Sequence, residues 1–189
     1  VTGRVEKPGT GELHARAAAV KVLVLDVDGV LTDGGLYYGP SGEALKRFDV
    51  KDGHGIVMAR LTGLRTAVLT ARQGEIVAVR GRELGMVAVY QGRRDKAAGF
   101  RELCAELQVS PSECAYMGDD TNDLPVLQLC GLPACPADAV PEVRAAAAFI
   151  ARSPGGHGAV RELVELCLKA SGRWEAALSH ATGAHPPQR

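Results

Sequence analysis

The sequence predicts an α/β fold in which a doubly wound parallel sheet carries helices on both faces. Three observations point there. Val22–Leu25 is a run of four apolar residues that meets a carboxylate with no polar alternation, as a strand buried on both faces does. Further short strand segments are expected at 65–69, 86–90, 114–117 and 132–135. Between them lie stretches of helical length and pattern, and strands alternating with helices indicate βαβ units of a Rossmann-like sheet. A chain of 189 residues is enough for one well-cored domain and short for two.

Taken in order, residues 1–20 are expected to be a flexible leader, because Gly3, Pro8, Gly9 and Gly11 oppose regular structure. A single domain follows over 21–177, and 178–189 is expected to be a flexible C-terminal tail. After the first strand, Leu36-Tyr37-Tyr38 and Ala44–Val50 flank a G-P-S-G turn at 39–42, which predicts a β-hairpin over 36–50. Its Leu36, Tyr37, Tyr38 and Phe48 need cover, for which another subunit is one source. Asp52-Gly53 opens a helix that runs to Leu61 and stops at Gly63. The strand at 65–69 ends in Thr70-Ala71-Arg72, and the helix at 74–84 ends on Gly85. Strand 86–90 leads to a helix over 95–107. Ser110-Pro111-Ser112-Glu113 has a capping-box pattern with proline at the first helical position, enough for one turn. Strand 114–117 ends in Gly118-Asp119-Asp120; a short helix at 124–130, strand 132–135, helix 141–148 and edge strand 149–150 follow. A glycine-rich loop at 155–158 precedes a final amphipathic helix from Ala159 to about Ala170.

Bulk properties exclude several function classes. Formal net charge is zero and the pI is about 7.1, so neither nucleic acid nor an anionic membrane is an expected partner. Aromatic residues are only 4%, too few for a base-stacking platform. No apolar run approaches the ~20 residues of a membrane span, and residues 1–20 do not read as a secretory signal. Five scattered cysteines, an odd number, favour reduced thiols and a cytoplasmic location over a disulfide frame.

The chemistry-bearing residues gather at strand ends, where an open α/β sheet binds its ligands. Asp26 and Asp28 close the first strand one residue apart, followed by Gly29. Two carboxylates so close repel each other unless a cation or shared proton offsets the charge; a simple Asp-Gly turn is the competing reading. Thr70 ends the second core strand, Lys96 follows the third, and Asp119, Asp120 and Asp123 follow the fourth. Singly, each has a local explanation: a strand-end cap, a solvated lysine, an acidic N-cap with Asn122 or Asp123. Together they converge on one rim. Asp26, Asp28 and Asp119 form an oxygen-only set suited to Mg²⁺, and no His or Cys nearby favours zinc. A threonine hydroxyl and a lysine ammonium suit phosphoryl oxygens. Asp26 is the candidate nucleophile and Asp28 the candidate general acid and base. His54 and His157 receive no role.

At these residues the sequence resembles the haloacid dehalogenase superfamily of phosphatases, through D-V-D-G-V at 26–30, Thr70, Lys96 and G-D-D-T-N-D at 118–123. The resemblance implies Mg²⁺ held by Asp26, the backbone carbonyl of Asp28, and Asp119, with Asp123 supporting from behind. It also implies that Thr70 and Lys96 bind the phosphoryl group. Neither the 28–70 nor the 96–119 interval has room for the cap domain many members carry, so the fold is expected to be capless. The hairpin motif L-Y-Y-G-P-S-G-E-A-L-K-R-F, with V-K-D-G, Y-Q-G-R-R-D-K and G-G-H-G-A-V-R-E, is similar to the 3-deoxy-D-manno-octulosonate 8-phosphate phosphatases in particular. That likeness implies a sugar-acid phosphate substrate and a homotetramer in which the hairpin and C-terminal segment close a neighbour's site. It further implies that Arg72, Asp52 and the 155–161 segment with Arg161 touch or gate the substrate. Thr70-Ala71-Arg72 departs from the usual T-G-R, and Thr121-Asn122 replaces commoner apolar residues. A nine-carbon keto-deoxy sugar phosphate, or a broad range of sugar phosphates, is the alternative substrate. A phospho-accepting signalling receiver is a weaker reading, because such modules carry the accepting Asp at strand three, where this chain has Lys96. A non-catalytic binding subunit is a third reading, against which stands the presence of every required side chain.

Overall fold

The computed structural model describes residues 8–182. The first helix, α1, spans Thr10–Ala18, and β1 (Val22–Leu25) follows at once. A hairpin of β2 (Tyr37–Gly39) and β3 (Gly42–Leu45) precedes α2 (Val50–Leu61). Then come β4 (Arg65–Leu69), α3 (Glu75–Leu84), β5 (Ala88–Tyr90), α4 (Lys96–Glu106) and β6 (Cys114–Met117). The C-terminal part holds α5 (Leu124–Leu127), β7 (Leu132–Cys135), α6 (Pro141–Ala146), β8 (Phe149–Ile150), α7 (Ala159–Ala170) and α8 (Trp174–Thr182). Single 3₁₀ turns cover Pro111–Glu113 and Thr121–Asp123.

Six strands form one parallel sheet in the order β5-β4-β1-β6-β7-β8, and β2-β3 form a separate antiparallel pair. Among the described residues there is no cap domain; the hairpin is the insertion after the first strand. β1 is central, with Val22 opposite Arg65 on one side and Cys114 on the other. All four of its residues are buried. Alternation then divides them: Leu23 and Leu25 join the core under α1, α2, α7 and α8, while Val22 and Val24 join the core under α4, α5 and α6. Chain order runs outward from β1 through β4 to β5, then crosses to β6. The crevice beyond the C-terminal ends of β1, β4 and β6 is therefore the switch point where doubly wound sheets bind ligands.

Two expectations at the chain ends need correction. Residues 10–18 of the expected leader form α1, which buries Ala17 and packs Leu13 against the core. The helix forms despite the glycines because Gly9 lies outside it as its N-cap and the alanine-rich run that follows has high helix propensity. An Arg16–Glu12 ion pair at 2.6 Å spans one turn of its exposed face. At the other end α8 runs through Thr182, with Ala177 buried and Leu178 against the core, so residues 178–182 are helical where a tail was expected. Residues 1–7 and 183–189 of those expectations lie outside the described residues. Smaller shifts concern bounds. α2 starts at Val50, because the Asp49 side chain accepts the N–H of Lys51 at 2.7 Å and caps it there. The expected strand at 86–90 is ladder-paired only from Ala88. The second hairpin strand lies at 42–45; Phe48 beyond it forms an isolated bridge with Thr32 and is covered by its own chain, packing against the core with Arg80 over its ring. Among the described residues no helix is long and apolar enough to cross a membrane.

Candidate active site

Four chain segments bring their ends together above β1. Asp26 is still held in the sheet by its N–H bond to the Met117 carbonyl, 3.0 Å, so its backbone has no freedom to drift. Its side chain turns back to accept the Val27 N–H at 2.7 Å. The chain then curls, with Val30 and Thr32 both donating to the Val27 carbonyl. Gly29 sits in that curl at φ +77°, with the Asp119 carboxylate lying where a Cβ would be, so only glycine lets the two loops meet. Gly118 has the same relation to the carboxyl of Asp123. Thr70, after β4, is fixed by its N–H to Tyr90 at 2.9 Å. Lys96 is the first residue of α4, whose start is set by Asp95 accepting the Ala98 N–H at 2.9 Å.

These segments line a cleft of about 210 Å³ that includes Asp26, Asp28, Thr70, Arg72, Lys96 and Asp119, together with Asp120 and Asn122. A larger cleft of about 470 Å³ at the opposite end of the sheet is lined by Lys21, Arg65 and Arg173. The Arg65 and Arg173 guanidiniums there bond backbone carbonyls and Lys21 pairs with Glu113, which is the neutralisation helix C-termini require rather than a reactive site.

Lys96 is the pivot of the chemistry. Its ammonium, almost fully buried, donates to Asp26 Oδ2 and to Asp123 Oδ1, both at 2.5 Å. Burial alone would lower its pKa, but the Asp26 and Asp123 carboxylates outweigh that and raise it, so Lys96 stays charged. One lysine does not balance the acids around it. Burial, with Asp123 nearby, pushes Asp26 up to about 6 against the opposing pull of Lys96. Burial, with Asp26 and Asp123 nearby, pushes Asp119 up to about 7. Asp26, Asp119 and Asp123 each bring an oxygen within 4.8 Å of the others, a group that can hold a metal ion. The donors are all hard oxygens and the acids outnumber the one buried ammonium among them, which fits a divalent cation such as Mg²⁺. Asp123 is the least available of the three. Its Oδ1 already accepts Lys96 and the Tyr116 hydroxyl, and its Oδ2 accepts the N–H groups of Asp119 and Asp120.

Asp28 faces differently. Its carboxylate is outside that acidic group and pairs with the ammonium of Lys46, the residue just after β3; Arg72 lies 3.6 Å away. Lys46 also reaches Glu43 at 2.8 Å, and Arg72 bonds Glu43 at 3.3 Å and Tyr38 at 3.4 Å. The hairpin is thus tied by charge to the mouth of the cleft in its own subunit. Lys46 and Glu43 were missed in the sequence, where their only signal was membership of a hairpin beside the acid pair. Tyr116 was missed too. There the signal was a hydroxyl-bearing side chain in an otherwise apolar strand buried on both faces, which must find a partner.

Asp52 and Arg161 are brought to each other rather than into the cleft. Asp52 accepts the N–H groups of Gly158 at 3.1 Å and Arg161 at 2.7 Å, acting from α2 as the N-terminal cap of α7. Burial raises its pKa, opposed by those two N–H bonds. The Arg161 side chain pairs with Glu165 and lies over Trp174. The 155–158 loop held this way braces the acid loop from behind, since Gly156 donates to the Val30 carbonyl at 2.9 Å.

Comparison with known proteins agrees with this geometry. A family model of haloacid dehalogenase-like hydrolases matches residues 66–163. A 3-deoxy-D-manno-octulosonate 8-phosphate phosphatase of Escherichia coli (strain B / BL21-DE3) is 41% identical over 170 residues, 90% of each chain. The crystal structure of the Moraxella catarrhalis phosphatase of that name, in complex with magnesium ion, phosphate ion and KDO, superposes with a TM-score of 0.88 at 34% identity, covering 91% of this chain and 99% of that one. The cobalt-bound deoxy-D-mannose-octulosonate 8-phosphate phosphatase of Haemophilus influenzae gives 0.81 at 38% identity, covering 83% and 92%. By fold, strand-end residues and similarity over nine-tenths of its length, the chain belongs to the haloacid dehalogenase-like hydrolases, in the capless branch that contains these phosphatases.

Proposed function

We propose that the protein is a Mg²⁺-dependent phosphomonoesterase that hydrolyses 3-deoxy-D-manno-octulosonate 8-phosphate, or a closely similar sugar-acid phosphate, through an aspartyl phosphate on Asp26. The observation that carries the reading is the buried Asp26 carboxylate at the end of β1, bonded to Lys96 and grouped with Asp119. Asp26, Asp119 and the backbone carbonyl of Asp28 would hold the ion. When bound, it neutralises the acids and the phosphoryl oxygens so that an anion can approach an anion.

Asp26 attacks phosphorus, forming an O–P bond as the ester O–P bond breaks. Asp28 acts as acid in its protonated form, giving that proton to the departing sugar oxygen; then, as the carboxylate that pairs with Lys46, it takes a proton from the water that attacks the aspartyl phosphate. That second step breaks the bond to Asp26 and frees inorganic phosphate. Lys96 and the Thr70 hydroxyl hold phosphoryl oxygens in both steps, and Asp123 holds Lys96. Arg72, partly exposed beside Asp28 at the cleft mouth, supplies a cation for the sugar carboxylate, and Lys46, its side chain buried, holds Asp28 from the hairpin side. The reading of Asp52 and Arg161 changes with their position: they act on the substrate indirectly, through the 155–158 loop.

The exposed apolar residues of the hairpin, Leu36, Tyr37, Tyr38 and Leu45, support assembly with other copies, which we read as a homotetramer. The absence of a disulfide among the described residues suits a cytoplasmic enzyme. The test is hydrolysis of eight- and nine-carbon sugar-acid phosphates with Mg²⁺. Preference for the eight-carbon substrate is expected; a higher kcat/KM on the nine-carbon one would reassign the substrate, and activity on neither would remove the reading.

A further inference from the structure

We propose that Tyr116 is a positioning residue of the active site, whose hydroxyl fixes Asp123 and, through Asp123, the Lys96 ammonium and the backbone that carries Asp119. The proposal rests on the phosphatase reading above. Tyr116 is the third residue of β6 and is fully buried, its ring edge-on to Phe100 at 6.2 Å between centroids. Phenylalanine would fill the same apolar space. The added hydroxyl is costly there unless bonded, and it donates to Asp123 Oδ1 at 2.5 Å.

Asp123 is itself fully buried, so every acceptor position it has must be met by protein. A carboxylate has about four. Lys96 and Tyr116 occupy Oδ1; the N–H groups of Asp119, at 3.0 Å, and Asp120, at 3.2 Å, occupy Oδ2. Three of these donors lie outside the sheet: the lysine at the start of α4 and the two N–H groups of the loop after β6. Tyr116 alone is anchored in the sheet. It is also a lasting donor, since burial and the neighbouring carboxylates hold its phenol well above the ordinary range. Removing the hydroxyl frees one acceptor position and lets the carboxylate pivot on its two backbone donors, drawing Lys96 off Asp26.

The experiment compares wild type, Tyr116→Phe, Phe100→Leu, Asp123→Asn and the Tyr116→Phe/Asp123→Asn double variant by steady-state turnover of an aryl phosphate with Mg²⁺ and by thermal melting. Tyr116→Phe is expected to lower kcat about ten-fold with KM changed less than about two-fold, the signature of an interaction used in the transition state. On the Asp123→Asn background the same change should cost less than about two-fold, because two residues acting through one contact are not additive. Phe100→Leu loosens the packing on the same ring but leaves the hydroxyl, so it should melt lower and keep kcat within about two-fold of wild type. The proposal is overturned if Tyr116→Phe keeps wild-type kcat, if its loss is undiminished beside Asp123→Asn, or if Phe100→Leu loses as much. It is equally overturned if Tyr116→Phe does not fold, since the hydroxyl would then serve the fold. An inactive wild type would instead remove the phosphatase reading, and the positioning role with it.

Discussion

Asp26 and Asp119 are held closer to protonation than free carboxylates because burial and mutual repulsion exceed what Lys96 offsets. This has a sign that can be checked. A carboxyl whose folded pKa lies above its unfolded value of about 3.9 binds more protons in the native state. Its contribution to stability is complete at low pH and is lost as pH rises through the folded pKa values, about 6 for Asp26 and about 7 for Asp119. Metal-free protein should therefore lose melting temperature between about pH 5 and 8 from these groups. Protons compete with the cation for the same oxygens, so the rise in melting temperature on adding Mg²⁺ should grow over that interval. A Mg²⁺ increment that shrinks towards pH 8 would contradict the assignment, with differential scanning calorimetry as the measurement. Asp28 answers a second question. Asp28→Asn removes the proton donor and acceptor but leaves the nucleophile, so kcat should fall about 10²–10⁴-fold, with Mg²⁺ binding by calorimetry little changed.

The elements show what was readable in the sequence and what was not. β1 was legible because a strand buried on both faces leaves an uninterrupted apolar run, β4, β6 and β7 because short, largely apolar segments stand between helical stretches, and the acids because the chain turns at their ends. α1 was not, since its glycines at 9 and 11 mask an alanine-rich helix that is stabilised mainly by packing on α7. Nor was the job of Asp52. A carboxylate that caps a helix more than a hundred residues further along the chain leaves no local pattern. Asp52→Ala should destabilise the fold by about 1–2 kcal/mol, as loss of a helix cap does, while kcat per folded molecule on an aryl phosphate stays near wild type. Unchanged chemical denaturation with a large rise in KM for the sugar phosphate would restore Asp52 as a direct contact. For the hairpin, Lys46 and Glu43 became visible only once three dimensions brought β3 over the strand ends. Deleting 39–42 should lower activity on the sugar phosphate, or break the assembly, more than it lowers melting temperature.

At the scale of the whole molecule, a parallel sheet with no cap leaves the cleft open on the side where the hairpin stands. Four large apolar side chains of the hairpin are exposed, Tyr38 at 65%. Light scattering should therefore find an oligomer, and the full-length protein running as an active monomer would end the intersubunit-closure reading. None of that bears on the chemistry as directly as the fate of phosphate at Asp26. Wild type and Asp26→Asn should be assayed on the sugar phosphate with Mg²⁺ and again in excess chelator. Turnover is expected only in wild type with the metal, and at least ~10³-fold lower in the variant, as loss of a nucleophile dictates. Comparable turnover in Asp26→Asn, or full activity in chelator, would contradict a mechanism built on that carboxylate and its cation.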